Sequence, residues 1–138
     1  MIHAAASGVG TTMLQLCRAQ GVKAIAVASN QAKLDFCRDV LGAWQVINYK
    51  ETPNFAELVK KFTNGEGVNV IQDPVLGGSN FNQNLDCLAM DSRWVIYGSL
   101  GGIKVNDANM VKPLLKRTSM IFSTLKTRSD EYKADLIR

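Results

Sequence analysis

The chain has 138 residues, a formal net charge of +4 from 16 basic and 12 acidic side chains, and a hydrophobic fraction of 46%. That suits one globular domain with one core. Without a dense Lys/Arg block, a basic stripe interleaved with aromatics, an apolar run of membrane-spanning length or a signal-peptide pattern, the sequence argues against nucleic acid and membrane partners and for a soluble, cytoplasmic protein.

The first fifteen residues, Met1 to Gln15, organise the rest. A short apolar segment ends in small residues that lead without a break into a helical pattern. This reads as a first strand, a tight turn and a first helix. Against the dinucleotide fingerprint G-x-G-x-x-G the key positions are Ala5, Ser7 and Gly10, with a further glycine at Gly8. The first position allows the turn, the second lets the backbone approach a pyrophosphate, and the third lets the helix pack closely on the strand. The positive end of the helix then faces the phosphates. Taken alone, this degenerate fingerprint fits a nucleotide site and an ordinary strand-to-helix turn equally well.

The helix from Thr11 to about Gln20 carries apolar residues at Met13, Leu14, Leu16 and Cys17, and Gly21 ends it. Val22–Ala28 is a continuous apolar run, as expected of a buried parallel strand. Ser29-Asn30 caps a second helix over Gln31–Leu41, which Gly42 terminates. Trp44–Asn48 is a third strand. A helix from Pro53-Asn54 to about Thr63 leads through the turn Asn64–Gly67 to a fourth strand, Val68–Gln72, ending at Asp73-Pro74. Gly77-Gly78 opens a helix reaching about Ala89, followed by a fifth strand, Arg93–Tyr97, ending at Gly98. A helix around Asn109–Lys116 precedes a sixth strand, Ser119–Leu125, and a last helix begins near Arg128 or Ser129.

Strands and helices alternate throughout. This predicts an α/β fold, a Rossmann doubly wound parallel sheet of six strands in the order 3-2-1-4-5-6. In such sheets ligands bind beyond the carboxyl ends of the strands. Here that edge collects Ala5–Gly10, Ala28–Asn30, Asp73–Gly77 and Gly98–Gly102, small residues that suit a groove for an extended ligand. NAD-specific domains place an acid at the end of the second strand. Here the strand ends Val27-Ala28-Ser29-Asn30, with no acid, so a 2′-phosphate would meet no repulsion. Ser29 and Asn30 are candidate donors to it, Lys33 lies one helical turn on, and Tyr49 and Lys50 close the neighbouring strand. The pattern favours NADP(H), although a solvated surface role fits either lysine as well.

Cys17, Cys37 and Cys87 are far apart and odd in number, as expected of reduced thiols that mostly fill core. No metal-ligand spacing is present, and His3, the only histidine, suits a buried or strand-end role. Asp73 is the only acidic residue at the ligand edge that suggests acid–base chemistry, and fixing its own loop suits it better. No catalytic residue is assigned.

Several segments together resemble the zinc-independent, zeta-crystallin-like quinone oxidoreductases of the medium-chain dehydrogenase/reductase superfamily. They are His3–Thr11, Leu41–Tyr49, Gly67–Asp73, Asn84–Leu88 and Arg93–Gly98, so the resemblance spans essentially the whole chain. It implies an NADPH-binding Rossmann domain over residues 1–138. Ser7, Gly8, Val9 and Gly10 would lie at the pyrophosphate, and Ser29, Lys33 and Tyr49 around the 2′-phosphate. Gly98 and Ser99 would lie near the nicotinamide ribose, and Ser123, Thr124 and Leu125 beside the nicotinamide. The second helix is one residue longer than the family pattern, and Pro74 replaces a non-proline residue. The family's partly β-barrel catalytic domain has no counterpart here, and both ends of the chain read as cut.

For an intact enzyme the resemblance implies hydride transfer from NADPH to a quinone or another α,β-unsaturated carbonyl, with no zinc. It also implies a homodimer through the edge strand Ser119–Leu125. The alternative is a catalytically inactive module that binds cofactor and dimerises. Two other Rossmann-like classes fit worse. A methyltransferase wants an acid after the second strand. A short-chain dehydrogenase needs Tyr-x-x-x-Lys.

Overall fold

Alternating side chains along one buried strand divide the core in two. The computed structural model describes residues 1–138. Strand β1 (Ile25–Ala28) is buried at every position. Ile25 and Val27 point into a larger cluster with Phe55, Val59, Phe81, Leu85 and Trp94. Ala24 and Ala26 point to the other face and meet Ile2, Ala5, Leu14 and Cys37. Opposite faces at successive residues follow from the strand's two-residue period, and burial of both faces marks a parallel sheet covered by helices.

The elements follow in chain order. Helix α1 (Gly8–Ala19) precedes β1. Helix α2 (Gln31–Asp35) winds on as a π turn over Phe36–Val40 before β2 (Gln45–Asn48). Then come α3 (Phe55–Phe62), β3 (Val68–Asp73), α4 (Ser79–Cys87), β4 (Leu88–Ile96), α5 (Val111–Leu115), β5 (Ser119–Phe122) and α6 (Asp130–Ile137). β1 pairs with β2, β3 with β4 and β4 with β5, every pair parallel.

The α/β architecture with parallel pairing agrees with the sequence, but the strand count differs. Five strands form two groups, β1-β2 and β3-β4-β5. The expected first strand is reduced to Ile2, which makes isolated parallel bridges to Ala26 and to Gln72. The backbone leaves the sheet almost at once, because Ala4 takes a left-handed conformation with φ 47°. Other boundaries move as well. α1 begins at Gly8 instead of Thr11, and β1 at Ile25 instead of Val22. α4 stops at Cys87, and the residues expected to finish it open β4, where Leu88 pairs with Val68. β5 ends at Phe122, so Ser123–Leu125 lies outside the strand. Its last link to the sheet is the Ser123 amide donating to the Ile96 carbonyl at 2.9 Å.

The second helix is not uniform. Its last five residues widen into the π turn, a geometry that takes up an extra residue within a helix. The widening begins after Lys33, which stays in the first turn of the helix. The Asn30 side chain caps that turn by accepting from the Lys33 amide at 3.0 Å.

Candidate functional site

The turn ahead of α1 is closed by its own residues. Ser7 is the N-cap of α1, and its hydroxyl accepts from the Gly10 amide at 3.2 Å. Gly10 is obligatory for packing: a Cβ there would lie 2.5 Å from the Ala4 carbonyl oxygen and 2.6 Å from that of Ala5. No acidic side chain occupies the first turn of α1. The positive end of a 12-residue helix is thus presented to the groove without a neutralising carboxylate.

Ser7, Ser29, Lys33 and Tyr49 line one cleft of about 410 Å³, together with His3, Val75, Leu100 and Gly101. No acidic residue lines it. The cleft lies where the ends of β1, β2 and β3 meet the turn. Gly98, Ser99, Ser123 and Thr124 line a second cleft of about 530 Å³ with Tyr97 and Arg128. Gly8, Val9, Gly10, Asn30 and Leu125 line neither. Gly8, Val9 and Gly10 form the start of α1, the Asn30 side-chain oxygen Oδ1 is committed to its helix cap, and Leu125 is 56% exposed.

Some lining residues belong to segments expected at this edge without being named as contacts. Val75, Leu100 and Gly101 enter the first cleft because the loops after β3 and β4 pack against each other. The Leu100 amide donates to the Pro74 carbonyl at 3.0 Å and the Gly101 amide to the Val75 carbonyl at 2.8 Å. A Cβ at Gly98 would stand 2.7 Å from the Pro74 carbonyl oxygen, so this close approach needs glycine. Their position just after strand ends was the available signal. Arg128, the one cation of the second cleft, follows no strand directly and gave none.

Beneath the first cleft lies a buried polar chain. Asp73, Asn84, Trp94 and His3 are each at most 1% exposed. One Asp73 carboxylate oxygen accepts from the Val75 and Leu76 amides at 2.7 and 3.1 Å. The other accepts from Asn84 Nδ2 at 3.2 Å and from the Trp94 indole at 3.0 Å. Asn84 Oδ1 is then left as acceptor for His3 Nε2 at 2.7 Å, which fixes the proton on that ring nitrogen. Burial holds the His3 pKa below its ordinary value of 6.5 and so keeps the ring neutral, outweighing the opposing pull of Asp73. Asp73 thus serves the loop and the core. Burial also raises the Tyr97 phenol, at the second cleft, to about 12, and nearby Asp73 acts in the same direction.

A third cavity, about 500 Å³ and mostly apolar, opens at the amino ends of β1 and β3 among Met13, Trp44, Phe62 and Val70. It lies at the opposite end of the strands from the turn. No group of three or more His, Cys, Asp or Glu side chains is placed to hold a metal ion. The cysteines are unpaired, with Cys37 and Cys87 buried and Cys17 partly exposed. No helix is long and apolar enough to cross a membrane.

Comparison with known proteins agrees with this geometry. The family described as zinc-binding dehydrogenase matches residues 8–138. The quinone oxidoreductase of Salmonella typhimurium is 39% identical over 102 residues, covering 74% of this chain and 30% of that protein. The human quinone oxidoreductase is 29% identical over 140 residues, covering 99% of this chain and 41% of that protein. Among solved structures, Escherichia coli quinone oxidoreductase complexed with NADPH superposes with a TM-score of 0.78 at 30% identity, covering 98% of this chain and 42% of that one. The chain thus spans 30% to 41% of the length of these two curated relatives.

Proposed function

Because the chain belongs to the zinc-binding dehydrogenase family, within the quinone-oxidoreductase-like part of the medium-chain dehydrogenase/reductase superfamily, we propose that it is an NADPH-binding domain serving hydride transfer to a quinone or another α,β-unsaturated carbonyl. One observation carries the cofactor reading: Ser7 of the turn shares an acid-free cleft with Ser29, Lys33 and Tyr49. Ser7, Gly8, Val9 and Gly10 would hold the pyrophosphate at the α1 end. Ser29 and Lys33 would hold the 2′-phosphate beside Tyr49, with Asn30 fixing the turn that carries Lys33. Gly98 and Ser99 would meet the nicotinamide ribose, and Ser123, Thr124 and Leu125 would flank the nicotinamide. NADPH would supply the hydride, and the protein its orientation and electrostatics. The relative in complex with NADPH supports this choice of cofactor.

The finer parts of the reading stand beside it. Ile2 would mark the central strand of the order 3-2-1-4-5-6, residues 1–138 would act as one cofactor-binding unit in the cytoplasm, and the reaction would use no zinc. A second reading, an inactive cofactor-binding and dimerisation module, is favoured by the exposed edge of β5, where Ile121 and Phe122 are 42% and 67% exposed. Such an edge invites pairing with a second copy.

Titration with NADPH and NADH tests the cofactor reading. NADPH should bind more tightly, and Lys33→Ala should weaken it about tenfold, the size of one charge-assisted contact, while leaving NADH unchanged. Equal binding of the two cofactors, or indifference to Lys33, would overturn the assignment.

A further inference from the structure

Two residues other than glycine hold left-handed backbone beside the clefts, one lining the first and the other the second. Ala4, with φ 47°, sits in the turn before α1, and Leu76, with φ 61°, sits in the loop after β3. Such conformations are disfavoured for a residue bearing a Cβ and persist only where the surroundings over-determine them. The buried polar chain ends at both. Its Asp73 end accepts from the Leu76 amide itself. Its other end is the His3 ring, one residue before Ala4. The His3 ring is also packed edge-on against Phe55, with centroids 5.7 Å apart. Backbone bonds clamp the flanks of Ala4: the His3 amide donates to the Gln72 carbonyl at 3.0 Å and the Ala5 amide to that of Val27 at 3.1 Å. The Ser7 amide donates to the Ala4 carbonyl at 2.8 Å, closing the turn.

We infer that the buried chain His3–Asn84–Asp73 is a positioning device that holds Ala4 left-handed and so pre-forms the turn that receives the pyrophosphate. The inference rests on the NADPH reading for its consequence, and on geometry alone for its cause. Asn84 is the link that matters. Its carboxamide presents an acceptor to His3 and a donor to Asp73 at once, which no apolar side chain of similar volume can do. Glycine at position 4 reaches the left-handed region without penalty, so it makes the device dispensable.

The test is therefore a rescue. Asn84→Leu should weaken NADPH binding about tenfold in the original chain but by less than about threefold where position 4 is already glycine. The double variant Ala4→Gly with Asn84→Leu should thus bind within about threefold of Ala4→Gly, whereas Leu76→Gly with Asn84→Leu should stay about tenfold weaker than Leu76→Gly. A purely structural loss would not distinguish the two glycines. Asn84→Leu binding like the original protein, or an Ala4→Gly double variant about tenfold weaker than Ala4→Gly, would overturn the inference. Hydrogen exchange of the Ser7 amide without cofactor supplies a second readout, expected to quicken about tenfold in Asn84→Leu and to recover with Ala4→Gly. If the original protein binds no NADPH, the cofactor reading falls, and the exchange series still decides the device. Should Asn84→Leu not fold, Asn84→Ser, too short to reach both partners, takes its place.

Discussion

The two clefts along the carboxyl edge are walled in different ways. The first rests on a fully buried polar chain and on strands covered on both faces, and its turn is closed by hydrogen bonds among its own residues. The second is bounded by Phe122 and by Ser123, Thr124, Thr127 and Arg128, all of them exposed. Beyond it α6 buries no residue. Ile103, Leu114 and Leu115, ahead of it in the sequence, are each more than two-thirds exposed. Rigid geometry is thus concentrated where the phosphates and adenosine would bind. The side proposed for the nicotinamide offers an open, apolar surface of the kind that receives other protein surfaces.

The largest effect should come from striking the rigid side at its centre. Asp73→Ala leaves the Trp94 indole, the Asn84 amide and two backbone amides without an acceptor. A loss of about 3–5 kcal/mol in urea denaturation is expected, since each buried donor left unpaired costs about 1–3 kcal/mol and relaxation recovers part of the sum. A loss under about 1 kcal/mol would mean that the first cleft is no better braced than the second.

Acid sharpens the same contrast. His3 is neutral in the fold and its pKa is lowered from 6.5, so below that value the unfolded chain binds more protons than the native one. Stability conferred by the neutral ring is complete above pH 6.5 and declines as the pH falls toward the lower native value, with a slope of at most about 1.4 kcal/mol per pH unit. The Met1 amino group, lowered by burial from 8.0 to about 6, adds a slope of the same sign between those values. Denaturation midpoints measured across this range should show both slopes, and His3→Gln should remove the His3 contribution below pH 6.5 while leaving that of Met1. An unchanged acid slope in that variant would remove His3 from the account.

The smallest effect on stability belongs to the open side. Ile121→Lys should alter folding stability by no more than about 0.5 kcal/mol, as surface changes usually do. If β5 pairs with a second copy, light scattering should read a dimer for the original chain and a monomer for this variant. A monomer in both cases would discard edge pairing.

Much of this could be read from the residues, because it depends on neighbours in sequence. The apolar run ending at Ala28, the small residues from Ala5 to Gly10 and the cap at Asn30 fix strand, turn and helix through burial, sterics and hydrogen bonding over a few positions. Strand-end placement likewise brought Ser29, Lys33 and Tyr49 to one edge, and the structure gathers them in one cleft with Ser7. The boundaries that moved did so where long-range pairing outweighs local propensity. Leu88 continues a helical pattern, yet it pairs with Val68 of β3, and Ala89 follows it into β4. Ser123–Leu125 resembles strand, yet pairing stops at Phe122.

The tertiary structure alone decided three further things. It reduced the first strand to the bridges of Ile2, widened the end of the second helix into a π turn, and joined His3, Asp73, Asn84 and Trp94 into one buried chain. Their spacing in the sequence carries no period that announces such a contact. A hydrogen bond between residues 81 positions apart exists only once the sheet has brought them together. Local sequence therefore determined which elements form and which edge collects the small and basic residues. Burial and long-range pairing decided how firmly that edge is held.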